Sequence, residues 1–267
     1  MSARIRQKFS QLQAEGAKGL ITYICSGDPD LETTAELVLA LEEGGTDIVE
    51  LGIPFSDPLA DGPVIQRASQ RALNSGTSVV KILHLVEDIR RCSQIPLVLM
   101  GYFNPILKYG VEAFVRDASN AGADGVIVPD LPVDEGAELY QPARRAGLAY
   151  IPLVAPTTYP ERVKKIVEQA DGFIYCVSLT GVTGMRRQLP PGLEQLTRMV
   201  RQYTSLPVAV GFGISSAEQA RHVACHAEAV IVGSAVVKII EEYAGSRVEM
   251  LRRVKTFTAH LKQALVG

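Results

Sequence analysis

Four carboxylates crowd one stretch, residues 47–62, which reads DIVELGIPFSDPLADG: Asp47, Glu50, Asp57 and Asp61. The stretch opens as a short apolar strand and breaks at Gly52, Pro54 and Pro58 into a loop. Glu50 stands between Val49 and Leu51, close to where the strand should stop. Burying a carboxylate costs several kcal/mol unless it is paired or takes up a proton. Glu50 is therefore either a structural carboxylate, paired to a lysine or to loop amides, or a general acid/base raised in pKa by its apolar setting. No basic residue lies near it in sequence. Two carboxyl groups in different environments can divide acid and base work, because burial drives their pKa values apart. Taken alone, Asp61 reads more simply. Asp61-Gly62-Pro63 before an apolar-periodic run is a helix N-cap signature, with proline in the first turn. Asp57, before Pro58, reads as a turn residue.

The other usual proton carriers and nucleophiles point elsewhere. All four histidines, His84, His222, His226 and His260, fall in predicted helices. His222 and His226 are spaced for a shared metal, but no third ligand is evident, and a solvated helix face is the simpler reading. No Ser-His-Asp or Cys-His arrangement is evident, and no lysine sits at a strand end for Schiff-base chemistry. The four cysteines, Cys25, Cys92, Cys176 and Cys225, form no CxxC and read as reduced, mostly buried thiols. Three glycine segments, at residues 180–184, 211–215 and 233–235, form a second constellation. They read as plain turns, or as loops that bring backbone amides and helix N-termini to an anion. The dinucleotide fingerprint fails, since Gly211-Phe212-Gly213 is followed by Ser216 where a third glycine is needed.

These residues need a frame. Apolar runs at 20–25, 48–51, 97–102, 125–128, 150–154, 173–177, 208–211 and 230–233 read as eight strands. Amphipathic stretches at 31–43, 79–91, 111–121, 134–146, 160–169, 193–203, 217–224 and 247–265 read as helices, and another opens near Ser234. Strands rich in Val and Ile on both faces argue for parallel strands covered on both sides. Eight such units in 267 residues predict an α/β fold, a single (β/α)8 TIM barrel spanning residues 1–267 with an extra N-terminal helix. A doubly wound open sheet is the alternative. Ile5, Phe9 and Leu12 share one face of that N-terminal helix, and no apolar segment of a signal peptide precedes it. A net charge of −2 gives no case for nucleic acid or an anionic membrane, and no apolar run reaches spanning length. The expectation is a cytoplasmic protein, or an organellar one after removal of a transit peptide. In a barrel, chemistry gathers at the C-terminal ends of the strands. Glu50, Asp57 and Asp61 lie there, with Asp28, Asn104, Asp130, Tyr175 and the glycine loops.

The long run at residues 50–63, ELGIPFSDPLADGP, closely resembles the signature of the tryptophan synthase alpha chain family. The likeness continues in the family's order through Gly27-Asp28-Pro29, Tyr102-Phe103-Asn104-Pro105, Pro129-Asp130-Leu131-Pro132, Gly181-Val182-Thr183-Gly184, Gly211-Phe212-Gly213-Ile214 and Gly233-Ser234-Ala235. It covers nearly the whole chain. The resemblance implies a barrel that cleaves indole-3-glycerol phosphate to indole and glyceraldehyde 3-phosphate. It implies Glu50 as the acid/base and Asp61 as the carboxylate on the indole N–H. Tyr175, Phe212, Tyr23, Met100, Ile127, Leu153 and Thr183 would line the substrate, and Gly184, Gly213, Gly233 and Ser234 would cradle its phosphate. No metal or organic cofactor is implied; the family's pyridoxal phosphate belongs to its beta partner. The implied partner is a tryptophan synthase beta chain in an alpha2-beta2 heterotetramer, docked on a face with Pro54, Asp57, Asn104, Asp130 and Pro132. A free-standing lyase, or a silent regulatory subunit that keeps the barrel for its interface, are the alternatives. Residues 51–62 and 180–189, rich in Gly, Pro and polar residues, are expected to act as mobile lids. Two departures touch packing only: Cys25-Ser26 stands where the family often has Thr and Ala, and the turn at residues 226–229 is poor in glycine.

Overall fold

Two-residue periodicity sorts every strand residue to one of two sides, and here both sides are apolar. The computed structural model describes residues 2–177, 192–211 and 213–266. Its strands are β1 (Gly19–Cys25), β2 (Ile48–Gly52), β3 (Leu97–Met100), β4 (Gly125–Ile127), β5 (Ala149–Tyr150), β6 (Leu153–Val154), β7 (Ile174–Val177), β8 (Val208–Gly211) and β9 (Ala229–Val232). All pair in parallel, in the order β5-β4-β3-β2-β1-β9-β8-β7-β6. The outward residues, such as Leu20, Val49, Leu99 and Val210, join a large core beneath the helices. The inward ones, such as Ile21, Ile48, Val98 and Phe173, join a second core inside the barrel.

The expected strand at 150–154 is two pieces, and the break closes the ring. β5 pairs with β4 and β6 pairs with β7, with only Ile151 and Pro152 between them. The Ile151 amide donates to the Val126 carbonyl at 3.0 Å, and the Pro152 carbonyl accepts from the Tyr175 amide at 3.1 Å. Proline has no N–H for the ladder, so the strand cannot continue through it as one piece. The expected strand through Tyr102 ends instead at Met100, because residues 103–109 coil into a short helix not anticipated from the sequence.

The helices described are α1 (Ala3–Ala14), α2 (Leu31–Glu43), α3 (Pro63–Asn74), α4 (Val79–Arg90), α5 (Phe103–Tyr109), α6 (Val111–Ala121), α7 (Ala137–Ala146), α8 (Pro160–Gln169), α9 (Leu193–Arg201), α10 (Ala217–Ala224), α11 (Ser234–Tyr243) and α12 (Arg247–Gln263). None is long and apolar enough to cross a membrane. The extra N-terminal helix α1 plugs the barrel. Ile5, Phe9 and Leu12 enter the interior core, and the Phe9 and Phe173 rings lie 5.9 Å apart. Ser2 Oγ donates to Asp124 at 2.6 Å and Arg4 pairs with the same carboxylate at 3.2 Å, which ties the plug to the wall.

Carboxylates seal the plugged end by one repeated device. Asp47 accepts from the Leu20 amide at 2.8 Å, Asp124 from Leu97 at 2.9 Å and Glu228 from Val208 at 2.9 Å. Each also meets a cation: Lys262, Arg90 and Arg201 respectively. Asp47 thus belongs to the closed end, opposite the strand end where Glu50 lies. The thiols divide evenly: Cys25 and Cys176 are buried, but Cys92 and Cys225 are exposed, which corrects the expectation of mostly buried cysteines. Truncating the plug should be costly. Phe9→Ala is expected to lower the unfolding free energy by about 3–5 kcal/mol, read as a drop in the urea midpoint at unchanged slope.

Candidate active site

Inward positions recur every second residue, so Glu50 lies one layer above Ile48, facing the barrel interior. Its strand neighbours in register are Tyr23 and Val98. Glu50 is completely buried, and neither carboxyl oxygen has a hydrogen-bond partner among the described residues. No described residue supports the reading as a paired structural carboxylate. Burial pushes its pKa up to about 8, so near neutrality the group is an acid holding its proton.

Asp61 does not cap α3. The N-cap is Gly62, with Pro63 in the first turn as expected, and no side chain closes the helix start. The Asp61 carboxylate instead accepts from the Tyr102 hydroxyl at 3.1 Å, and that hydroxyl accepts from the Ala60 amide at 2.9 Å. Tyr102 thereby holds both the side chain and the backbone of the loop. Burial raises the Asp61 pKa, and the Tyr102 bond works against that rise. The motif at residues 102–105 alone gives Tyr102 no role; its signal is a tyrosine two residues after β3, at the open mouth.

Tyr23 and Tyr175 complete the floor. Burial raises both phenols far above their usual range; Cys25, Asp61 and Glu50 add to the rise for Tyr23, and Glu50 and Asp61 for Tyr175. Both phenols stay neutral and share one electrostatic field with the two carboxyls. Two strand-end glycines seat the rings. A Cβ at Gly52 would fall on the Tyr23 hydroxyl, and one at Gly211 would stand 2.7 Å from the Tyr175 hydroxyl. Met100, Leu153 and Tyr175 are half-buried and rest on the interior core, which includes Ile127.

Two glycine loops border the same mouth. Gly213 has φ +54 with open space where a side chain would begin, so glycine fits there without strain. Gly233 is the N-cap of α11, which opens at Ser234 without a side-chain cap. The first turn of a helix leaves amides free of intrahelical acceptors. Thr183, Gly184, Phe212 and the second expected lid, 180–189, lie outside the described residues. On the rim, Asp57, Asn104, Asp130 and Pro132 are exposed, but Pro54 is buried. Asp130 accepts from the Phe103 amide at 2.9 Å and so closes the start of α5. Leu59, overlooked in the sequence, is 92% exposed in the polar loop beside Asp57. Asp28, at the same strand end, is not a free carboxylate, because Arg71 grips both its oxygens at 2.7 and 2.9 Å. His222 and His226 lie with ring centroids 6.1 Å apart, and the described residues hold no group of three ligands suited to a metal.

A plugged parallel barrel with an unpaired buried acid and a tethered second carboxylate at its open mouth defines a class, the (β/α)8 enzymes with acid/base sites on their βα loops. The family model for the tryptophan synthase alpha chain matches residues 9–266. The tryptophan synthase alpha chain of Thermoanaerobacter sp. (strain X514) is 51% identical over 263 residues, 98% of this chain and 99% of that protein. The structure of tryptophan synthase subunit alpha from Legionella pneumophila str. Paris superposes with a TM-score of 0.92 at 39% identity, covering 99% of this chain and 98% of that one. Mycobacterium tuberculosis tryptophan synthase gives 0.91 at 37% identity with both chains fully covered. The chain belongs to the tryptophan synthase alpha chain family.

Two outcomes follow from this geometry. Tyr102→Phe removes the donor to Asp61 and leaves the Ala60 amide unanswered. It should reduce kcat/KM by roughly tenfold, about 1.4 kcal/mol, with the melting temperature nearly unchanged. The second concerns pH. The Glu50 pKa in the folded chain, about 8, stands above the ordinary value of 4.5. The folded state keeps a proton that the unfolded chain releases, so this group's contribution to stability is lost as pH rises through that window. Glu50→Gln, which has no proton to lose, should be more stable than the wild type at about pH 8, by up to about 4 kcal/mol. The gap should shrink towards about pH 5, as urea midpoints at the two pH values would show.

Proposed function

We propose that this chain cleaves indole-3-glycerol phosphate to indole and glyceraldehyde 3-phosphate, and that it works as the alpha subunit of an alpha2-beta2 tryptophan synthase. The observation that carries the reading is Glu50, a buried carboxyl with no partner among the described residues and a pKa of about 8. Such a group is uncharged at neutrality, holds its proton and can give it up to a substrate. Glu50 protonates the indole carbon that bears the side chain. The resulting carboxylate then takes the proton of the adjacent side-chain hydroxyl. The carbon–carbon bond breaks, its electron pair returns to the indole ring, the hydroxyl carbon becomes the aldehyde, and Glu50 regains its proton. Asp61 accepts from the indole N–H and stabilises the positive charge that grows there when the ring is protonated. Tyr23, Tyr175, Met100, Leu153 and Phe212 wall the ring. Gly184, Gly213, Gly233 and Ser234 hold the phosphate by backbone amides at the starts of loops and of α11.

The product indole passes to the beta chain, which docks on the rim with Asp57, Asn104, Asp130 and Pro132. Membership of the tryptophan synthase alpha chain family supports that reading over a free-standing lyase. The test is indole release from indole-3-glycerol phosphate by the purified chain, alone and with a tryptophan synthase beta chain. Addition of the beta chain should raise turnover by at least about tenfold. Glu50→Gln should remove turnover under both conditions while far-ultraviolet circular dichroism stays unchanged. High turnover indifferent to the beta chain would mean a free-standing lyase, and none under either condition would exclude the catalytic assignment.

A further inference from the structure

The catalytic loop and the phosphate cradle are joined behind the site by four charged side chains. Helix α3 starts next to Asp61, and α11 starts at the Gly233-Ser234 cradle. Ile65, Ala68 and Ala72 of α3 pack with Val237 of α11 and Cys25 of β1, with Val64 and Tyr23 against them. Charged pairs add a directional link to this packing. Arg71 of α3 grips Asp28, in the loop after β1, with Nε and Nη2 at 2.7 and 2.9 Å. Its remaining nitrogen, Nη1, donates to Glu241 of α11 at 2.7 Å. Arg67, one turn earlier on α3, grips the same Glu241 with two bonds of 2.7 and 2.8 Å. Forked guanidinium–carboxylate pairs fix angle as well as distance. Two cations and two anions alternate, so the cluster is neutral and every charge has a partner.

We infer that Arg67, Arg71, Asp28 and Glu241 are positioning residues, which set the spacing between Asp61 and the Gly233-Ser234 phosphate cradle. The inference rests on the reaction proposed above, in which one substrate carries an indole at one end and a phosphate at the other. A ligand that spans two subsites gains from both only if their separation is preset. A ligand of either subsite alone gains nothing from that spacing. This separates a positioning role from general stabilisation.

The experiment uses the full-length chain, Glu241→Gln and Arg67→Gln, both chosen on the half-exposed side of the cluster so that Asp28 keeps Arg71. Calorimetric titration reads the affinity of three probes. One is a non-cleavable analogue with indole joined to phosphate through three carbons; the others are indole and inorganic phosphate. The spanning analogue should bind about tenfold more weakly to both variants, and each half should change by less than about twofold. Steady-state cleavage should lose a similar factor in kcat/KM, carried by KM. Unchanged affinity for the analogue, or equal weakening of all three probes, would overturn the inference. A wild-type chain that ignores the analogue would instead overturn the reaction on which the inference rests.

Discussion

An uncompensated carboxyl in an apolar interior is the constraint on which the rest of this molecule depends. Glu50 costs stability where it stands, because water that would solvate its charge is excluded and no described residue offers it a hydrogen bond. The barrel around it has to supply what Glu50 subtracts. Two cores do so: one between strands and helices, the other inside the ring, plugged from below by α1. The charged residues at the plugged end differ from Glu50 in kind. Asp47, Asp124 and Glu228 each answer a strand amide and a cation, and they stabilise. The same residue type is satisfied at one end of the barrel and left unpaired at the other. That contrast marks the functional end more clearly than any motif.

The second carboxyl is held differently. Asp61 sits on a loop, and its position is borrowed from Tyr102 on the next strand's loop. Glu50 is fixed by the sheet, and Asp61 by a hydroxyl that also takes the Ala60 amide. A rigid acid and a tethered partner suit a reaction in which the loop must admit substrate before the second contact is made. Behind both, Arg67 and Arg71 of α3 link to Glu241 of α11 and to Asp28 after β1.

Much of this was legible in the chain itself. Apolar runs rich in Val and Ile mark the strands, and the apolar flanks of Glu50 point to a raised acid. What failed to show was mostly long-range. Asp61 carried a cap signature, and only Tyr102, 41 residues on, turns it to the mouth. Asp47 looked like a member of the acid cluster, yet three residues of strand carry it roughly 10 Å from Glu50, to the closed end. The run at 150–154 reads as one strand; that it breaks at Pro152, where the ring closes, depends on pairing with strands far apart in sequence. The roles of Gly52 and Gly211 as seats for tyrosine rings were invisible, because the rings come from neighbouring strands. Pro54 illustrates the reverse case: the resemblance placed it on the partner face, and the fold of the lone chain buries it.

The central claim is that Glu50 is a protonated acid at neutral pH because burial disfavours its charge and no described residue bonds to it. The most direct measurement is an infrared difference spectrum, wild type minus Glu50→Gln, followed from weakly acidic to alkaline pH in the isolated chain. The account predicts the carbonyl band of a protonated carboxyl at neutrality, replaced by carboxylate bands through a transition near pH 8. Carboxylate bands already present at neutrality, with a transition in the ordinary acidic range, would contradict it.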